Sequence, residues 1–253
     1  MVKKKLEPLP NCIIALPNRD KKNFQECWTD KRMKDLCNFP HSFRMCLIAK
    51  PGAGKTNLIM NILLHQKPEF ERIIIWSPSE LSTEYKDLEY EYFDHCPSEM
   101  ELLEELDMET NMPCKQIVIV EDIDLQSINK TDQINLIKLL KHYSSHFNTS
   151  VILVAHDLTQ VPPIIRNFFN IFVLWKLSNI TCRILGARFN IDNLTFFNMF
   201  RTECLDYHDC LCIDDTINSP CKYRKNIFIP LDENVYKNNI DLKKEKFNLI
   251  TYK

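Results

Sequence analysis

The sequence predicts an α/β domain whose central sheet is mostly parallel and covered by helices on both faces. Short runs rich in β-branched residues alternate along the chain with segments of helical apolar spacing. One strand is joined to its helix by a loop that holds two of only three glycines in 253 residues. A second strand, Ile117-Val118-Ile119-Val120, is continuously β-branched and ends in two acids, as a strand buried on both faces would.

The elements follow in order. Residues 1–40 carry many charges and Pro8, Pro10, Pro17 and Pro40 without a sustained period, so they read as an extended arm with one short helix near 24–38. Strands are expected at 43–48, 72–77, 116–121, 150–155 and 171–175. Helices are expected at 55–66, 98–107 and 131–147, with a shorter one at 162–169 started by Pro162 and Pro163. In the 131–147 helix Thr131 and Asp132 offer caps, and Ile134, Ile137, Leu140 and Lys141 begin an amphipathic face. After Trp175 the pattern changes: 183–187 reads as an edge strand, 192–204 as a helix, and 210–213 with 223–229 as a C-terminal β-hairpin extension. The division is an arm at 1–40, one domain at 41–230, and an Asn- and Lys-rich tail at 231–253.

Composition excludes several classes. Hydrophobics at 45% and charges at 26% are ordinary for a soluble globular chain. No apolar run approaches the roughly 20 residues of a membrane span, and the basic start lacks the apolar core of a signal peptide. A cytosol-like compartment is therefore expected. Eleven cysteines are too dilute for a disulfide scaffold. Cys204, Cys210, Cys212 and Cys221, with His208 between them, raise a zinc question, but the spacing is not a paired C-x-x-C pattern. A net charge of −2 shows no general basic surplus for nucleic acid.

The glycine loop carries the chemistry. Average usage near 7% would give about eighteen glycines, so their concentration at Gly52 and Gly54 marks a backbone that needs them. The stretch Ala49-Lys50-Pro51-Gly52-Ala53-Gly54-Lys55-Thr56-Asn57 leads from an apolar strand into a helix, which is the context of a phosphate-binding P-loop. Glycine lets successive N–H groups converge on phosphate oxygens, and the helix adds its positive N-terminal end. Lys55 is expected to neutralise the β- and γ-phosphates of ATP, and the Thr56 hydroxyl to ligate Mg²⁺. Ala49 stands where the strict pattern has its first glycine. Glu121 and Asp122 end the buried strand in the manner of a Walker B segment. Glu121 is placed at Mg²⁺, in part through water, and Asp122 at the attacking water, although the usual order is Asp then Glu, so the division between them stays open.

The next strand ends at His156, where ATPases with an extra strand between the two Walker segments place a polar γ-phosphate sensor. Arg166 lies one turn into the following helix and reads either as an arginine finger for a neighbouring subunit or as a surface arginine. Together these predict a P-loop NTPase of RecA-like (ASCE) strand order.

The order of segments resembles the FtsK–HerA superfamily of DNA-pumping ATPases, and within it the genome-packaging ATPases of large double-stranded DNA viruses of the poxvirus and iridovirus type. The carrying residues are 49–56, 117–122, 150–156, the Pro-Pro-x-x-Arg-Asn element at 162–167, and Tyr223-Arg224-Lys225-Asn226. Two departures are the Glu-Asp order at 121–122 and His156, where such enzymes more often carry Gln or Asn. The resemblance implies a pentameric or hexameric homo-oligomeric ring that hydrolyses ATP to drive double-stranded DNA into a preformed capsid. Its partner would be a capsid or inner-membrane component, and its place the host cytoplasm at the assembly site, or the virion. DNA would be held through phosphates by pore loops, for which Lys176, Arg183, Lys222, Arg224 and Lys225 are the candidates. The alternatives are a replication-associated helicase or AAA-type DNA ATPase, and a nucleotide-switched scaffold with little turnover.

Overall fold

The structure is a computed structural model, and it describes residues 39, 42–66, 69–80, 85, 88–104, 114–216, 219 and 221–237. The N-terminal arm with its 24–38 helix, the end of the 98–107 helix and the last part of the tail lie outside the described residues.

Five of the strands form a parallel sheet because their residues are apolar on both faces: β1 (Arg44–Ile48), β2 (Arg72–Trp76), β4 (Gln116–Val120), β5 (Thr149–Ala155) and β6 (Ile171–Leu174). The order across the nine-stranded sheet is β3-β2-β4-β5-β1-β6-β7-β8-β9, with β3 at Glu91–Phe93 also parallel. β5 thus stands between β1 and β4, the strand order expected of an added strand between the two Walker segments. Beyond β6 the sheet turns antiparallel through β7 (Leu211–Asp214), β8 (Tyr223–Lys225) and β9 (Ile229–Leu231). The expected hairpin extension is therefore three strands: the 223–229 stretch breaks at Asn226 and Ile227, both at positive φ, and turns back.

Alternate residues of each strand feed two separate cores, one per face. On one face Met45, Leu47, Ile119 and Val154 pack against Leu58, Ile59 and Ile62 of helix α1 (Lys55–His65). On the other Cys46, Val118, Val120 and Leu153 meet the remaining long helices. These are α3 (Lys130–Lys138), α5 (Asn179–Phe189) and α6 (Asn193–Glu203). Two short helices lie between: α2 (Glu99–Leu102), closed by a Ser98 capping box, and α4 (Pro163–Arg166), whose first helical residue is the preset proline.

Three local readings of the sequence are corrected. The 183–187 segment is helical, inside α5, because Ser178 caps its N-terminus by accepting from Thr181 N–H and the buried residues Cys182, Leu185, Gly186 and Phe189 recur at helical spacing. The cap of α3 is Asn129, which accepts from Asp132 N–H, while Asp132 is buried and accepts from Cys96 N–H. Its inner face is Leu136, Leu139, Leu140 and Tyr143, with Ile134 turned to solvent. α3 continues through a π-helical turn (Leu139–Tyr143). The wider turn leaves the Leu140 carbonyl to accept from both Ser144 Oγ and the Arg44 guanidinium, each at 2.9 Å.

The domain also runs past 230. β9 ends at Leu231, and α7 (Glu233–Lys237) packs Tyr236 into the core, its hydroxyl donating to the Glu203 carboxylate.

One buried ion pair holds the extension to itself. Arg224 on β8 is 1% exposed and donates to Asp214 Oδ2 at 2.6 Å, with Ser219 Oγ at 2.9 Å and the Phe39 ring against its guanidinium. Removing one partner strands the other charge out of water, so Asp214→Ala should destabilise the fold by about 3–5 kcal/mol. Urea denaturation measures this, and a loss under about 1 kcal/mol, the range of an exposed pair, would show that water reaches the pair.

Candidate active site

The P-loop begins where β1 ends. Ala49 N–H donates to Ala155 O of β5 at 3.0 Å, and Ala53 N–H closes a turn onto Lys50 O at 3.3 Å. Gly52 and Gly54 hold φ of 76° and 96°, a region closed to most side chains. Gly54 caps α1, whose first turn contains no acid, so nothing opposes an anion at that helix end. The N–H groups of Gly52 and Gly54 have no hydrogen-bond acceptor among the described residues. Lys55 reaches back across the loop and donates to Ala49 O at 3.3 Å and Lys50 O at 3.2 Å. Two orphan donors, a helix N-terminus and an ammonium on one small surface fit the phosphates of a nucleotide.

The acids stand across from the loop at the tip of β4. Glu121 is buried at 3% exposure and accepts from the hydroxyl of fully buried Tyr85 at 2.7 Å. Asp122 takes the left-handed conformation at φ 55°, uncommon for a residue with a side chain and a frequent mark of functional sites. That turn swings its carboxylate the other way, into solvent, 3.6 Å from His156 Nε2. His156 Nδ1 lies 3.3 Å from Ala49 O, so the histidine bridges the P-loop and the second acid. Its own backbone is fixed by Gln160, whose Oε1 accepts from His156 N–H and Asp157 N–H at 3.2 Å. A cleft lined by Asp122, Asp124, Ala155, His156 and Gln160 opens beside them. Ala49, Lys55, Asp122 and His156 are thus gathered at one place, Glu121 directly beneath, with Thr56 and Asn57 in the first turn of α1.

The arginines behave differently from each other. Arg166 ends α4 half-buried, with its Nε shielded from water and without a partner. Arg188 lies in α5 and is held in its own chain. It donates to the Arg166, Asn167 and Phe169 carbonyls and rests on the Phe172 and Phe189 rings. It caps the end of α4.

The candidate DNA contacts also separate. Arg224 is corrected: sealed in its pair with Asp214, it presents no charge to a DNA backbone. Lys225 is engaged with Asp209 at 3.1 Å and Lys222 with Phe189 O at 3.0 Å. Lys176, just after β6, and Arg183, on the outer face of α5, are exposed.

Cys204, Cys210, Cys212, Cys221 and His208 do not converge, and no group of three or more possible metal ligands is found among the described residues. Burial pushes the Cys204 and Cys212 thiols up to about 12 and Cys210 well above its ordinary value.

Three residues of the site were not legible in the sequence. Tyr85 stands in a polar connection with no periodic signal. Tyr207 and His208 lie after α6 yet touch the P-loop: Tyr207 Oη donates to Pro51 O at 3.2 Å, and His208 Nδ1 is 3.3 Å from Ala53 O. Their segment is braced by Asp209, which accepts from Leu205 N–H, Asp206 N–H and Asn226 Nδ2. Burial pushes the Asp209 carboxyl up, but the Asn226 and Asp206 hydrogen bonds and the Lys225 ammonium outweigh it and hold the group below its usual range.

The inserted β5, the glycine loop opening α1 and the acids at the tip of β4 define a P-loop NTPase fold of the ASCE order. Residues 32–247 match the family described as the poxvirus A32 protein. The chain belongs to this family. Among solved structures it is similar to the DNA-packaging ATPase B204 of Sulfolobus turreted icosahedral virus, at 13% identity and a TM-score of 0.49 over 77% of this chain and 100% of that one. The genome packaging NTPase B204 of Sulfolobus turreted icosahedral virus 2 in complex with ATP-gammaS gives 15% and 0.49 over 77% and 100%. Its complex with AMPPCP gives 14% and 0.46 over 76% and 100%. No curated protein matches in sequence.

The Tyr85–Glu121 bond generates a prediction. Tyr85→Phe should destabilise the protein by about 1–3 kcal/mol, because a buried carboxylate loses a donor. The same change in a Glu121→Gln background should cost less, a coupling that urea titration of the four proteins measures. Equal costs in both backgrounds would show that the hydroxyl acts elsewhere.

Proposed function

We propose that this chain is the ATPase motor of viral genome packaging, driving double-stranded DNA into a preformed capsid in the host cytoplasm. The observation that carries the reading is the assembly of the P-loop, with the orphan N–H groups of Gly52 and Gly54, opposite Asp122 and His156. A site that only held nucleotide would need no solvent-facing acid beside the phosphate end.

Residues 49–57 hold the nucleotide, with Lys55 on the β- and γ-phosphates. Thr56 and Glu121 would hold Mg²⁺: a hydroxyl and a carboxylate are the oxygen donors that a hard cation takes. When bound, the metal neutralises charge that develops on the transferred phosphoryl group. Asp122 and His156 orient the attacking water, Asp122 because it alone of the two acids faces solvent. Tyr85 fixes the buried acid and leaves the exposed one to do the proton chemistry.

A motor needs neighbours. Arg166 acts on the next subunit's phosphate in a homo-oligomeric ring, an assignment supported by its half-buried place at the end of α4, with Arg188 holding that helix end in shape. Lys176 and Arg183 remain the candidates for DNA phosphates. A ring needs only a narrow basic inner surface, so a net charge of −2 does not oppose this. The capsid-side partner is a capsid or inner-membrane component, and no helix among the described residues is long and apolar enough to cross a membrane.

The test is steady-state ATP hydrolysis with and without duplex DNA. DNA should stimulate the rate. Lys55→Ala should abolish hydrolysis while leaving the melting temperature near wild type, since Lys55 is partly exposed and lies outside the two hydrophobic cores. Normal turnover in that variant would remove the nucleotide site.

Arg166→Ala should bind ATP yet lose about 10³-fold or more in turnover. Mixing Arg166→Ala with Lys55→Ala protein should restore part of the activity, because the first keeps an intact P-loop and the second still supplies the arginine. Near-normal turnover in Arg166→Ala would exclude the finger. No recovery in the mixture would place its action within its own chain.

A further inference from the structure

We infer that Tyr207 and His208 are positioning residues that hold the P-loop in its phosphate-binding conformation. This rests on the nucleotide-site reading above and adds a part that lies more than 150 positions along the chain.

The argument is one of peptide geometry. Across a trans peptide bond the C=O and the following N–H point in opposite directions. Pro51 C=O shares its peptide with Gly52 N–H, and Ala53 C=O shares its peptide with Gly54 N–H. Tyr207 Oη holds the first carbonyl at 3.2 Å and His208 Nδ1 the second at 3.3 Å. Both carbonyls are thereby turned toward the 205–209 segment, and both N–H groups are turned away from it. Neither of these two N–H groups has an acceptor among the described residues.

Glycine alone would not keep them so. The freedom that lets Gly52 and Gly54 adopt positive φ also lets their peptides flip when no phosphate is bound. Two donors anchored outside the loop remove that freedom before the ligand arrives, and an ordered site binds more tightly because less entropy is lost on binding. The approach is close: a Cβ on Gly54 would lie 3.5 Å from His208 Nδ1, and one on Gly52 3.9 Å from Tyr207 Oη.

The clasp itself is rigid. Asp209 fastens its base by accepting from Leu205 and Asp206 N–H, and ties it to Asn226 and Lys225 at the end of β8. The tyrosine ring packs edge-on against the histidine, with centroids 5.2 Å apart. The antiparallel extension of the sheet is thus connected through this segment to the nucleotide loop. His208, first noticed for its cysteine neighbours, has this role at the loop.

The experiment is ATP steady-state kinetics on the full chain for Tyr207→Phe, His208→Ala, His208→Asn and Lys55→Ala, with melting temperatures measured alongside. Each lost hydrogen bond should raise the KM for ATP about five-fold and leave kcat and the melting temperature near wild type. His208→Asn should recover wild-type KM, because its amide N–H takes the place of the Nδ1 donor. Unchanged KM in both Tyr207→Phe and His208→Ala, with Lys55→Ala inactive, would overturn the clasp alone. So would a fall in melting temperature with no change in KM, or an elevated KM that Asn fails to correct. Wild-type turnover in Lys55→Ala would overturn the nucleotide site and the clasp with it.

Discussion

The parallel pairing of β1 with β5 is the constraint on which the rest depends. Its register sets Ile48 beside Ala155, and the next hydrogen bond, Ala49 N–H to Ala155 O, fixes where the loop departs. From that bond His156 follows on one strand and the P-loop on the other, so the bridge from Ala49 to His156 to Asp122 comes from strand register and needs no special device. Because β4 lies on the far side of β5, its acids arrive from across the cleft rather than beside the loop. A slip of one residue would exchange the two cores and send every strand side chain to the wrong face. The buried polar pair Gln116 on β4 and Thr149 on β5, opposite in register and bonded at 2.9 Å, resists any such slip between them.

Around this frame the buried polar groups set positions. Arg72 at the start of β2 forms a forked pair with Glu91 of β3, both contacts at 2.6 Å, and donates to Glu101 O of α2 at 2.8 Å. One arginine therefore places the edge strand and a helix that share little apolar surface. Arg224 and Asp214 do the same for β7 and β8. The exposed Arg188 braces the end of α4. The two buried arginines, Arg72 and Arg224, are each satisfied by several partners, the condition under which a buried charge is tolerated.

The sequence revealed what repeats or is compositionally expensive. The five parallel strands, α1 and the P-loop were legible because β-branched runs and a concentrated use of glycine admit few other readings. Segment 183–187 was misread because Ile184 and Leu185 beside polar neighbours imitate a strand, while the deciding cap, Ser178, sits well outside that window. β3 went unseen, since three residues held by one parallel partner and an arginine have no period. The expected face of α3 was displaced because Ile134 and Ile137 fit the same helical spacing as the buried Leu136, Leu139 and Leu140, so the pattern alone does not choose between the two rows. Tyr85, Tyr207 and His208 were missed for another reason: each reaches the site from a connection, and spacing along the chain says nothing about which connections fold over a loop. Arg224 was the reverse case, a basic residue in a strand whose burial depended on an acid ten positions earlier.

The ends of the sheet carry a last consequence. β3 and β9 are three residues each, and β9 places Pro230 in its middle, opposite Arg224, where its ring offers no outward N–H. Such blunted edges cannot template another strand. Among the described residues the sheet therefore offers a second copy no long edge for fusion into one continuous sheet, a union that would be stable and slow to undo. Contacts made by side chains across faces and loops can separate and re-form without unzipping a backbone ladder. In the ring motor proposed above, whose parts would shift against each other at every cycle, the proline would keep the joints movable.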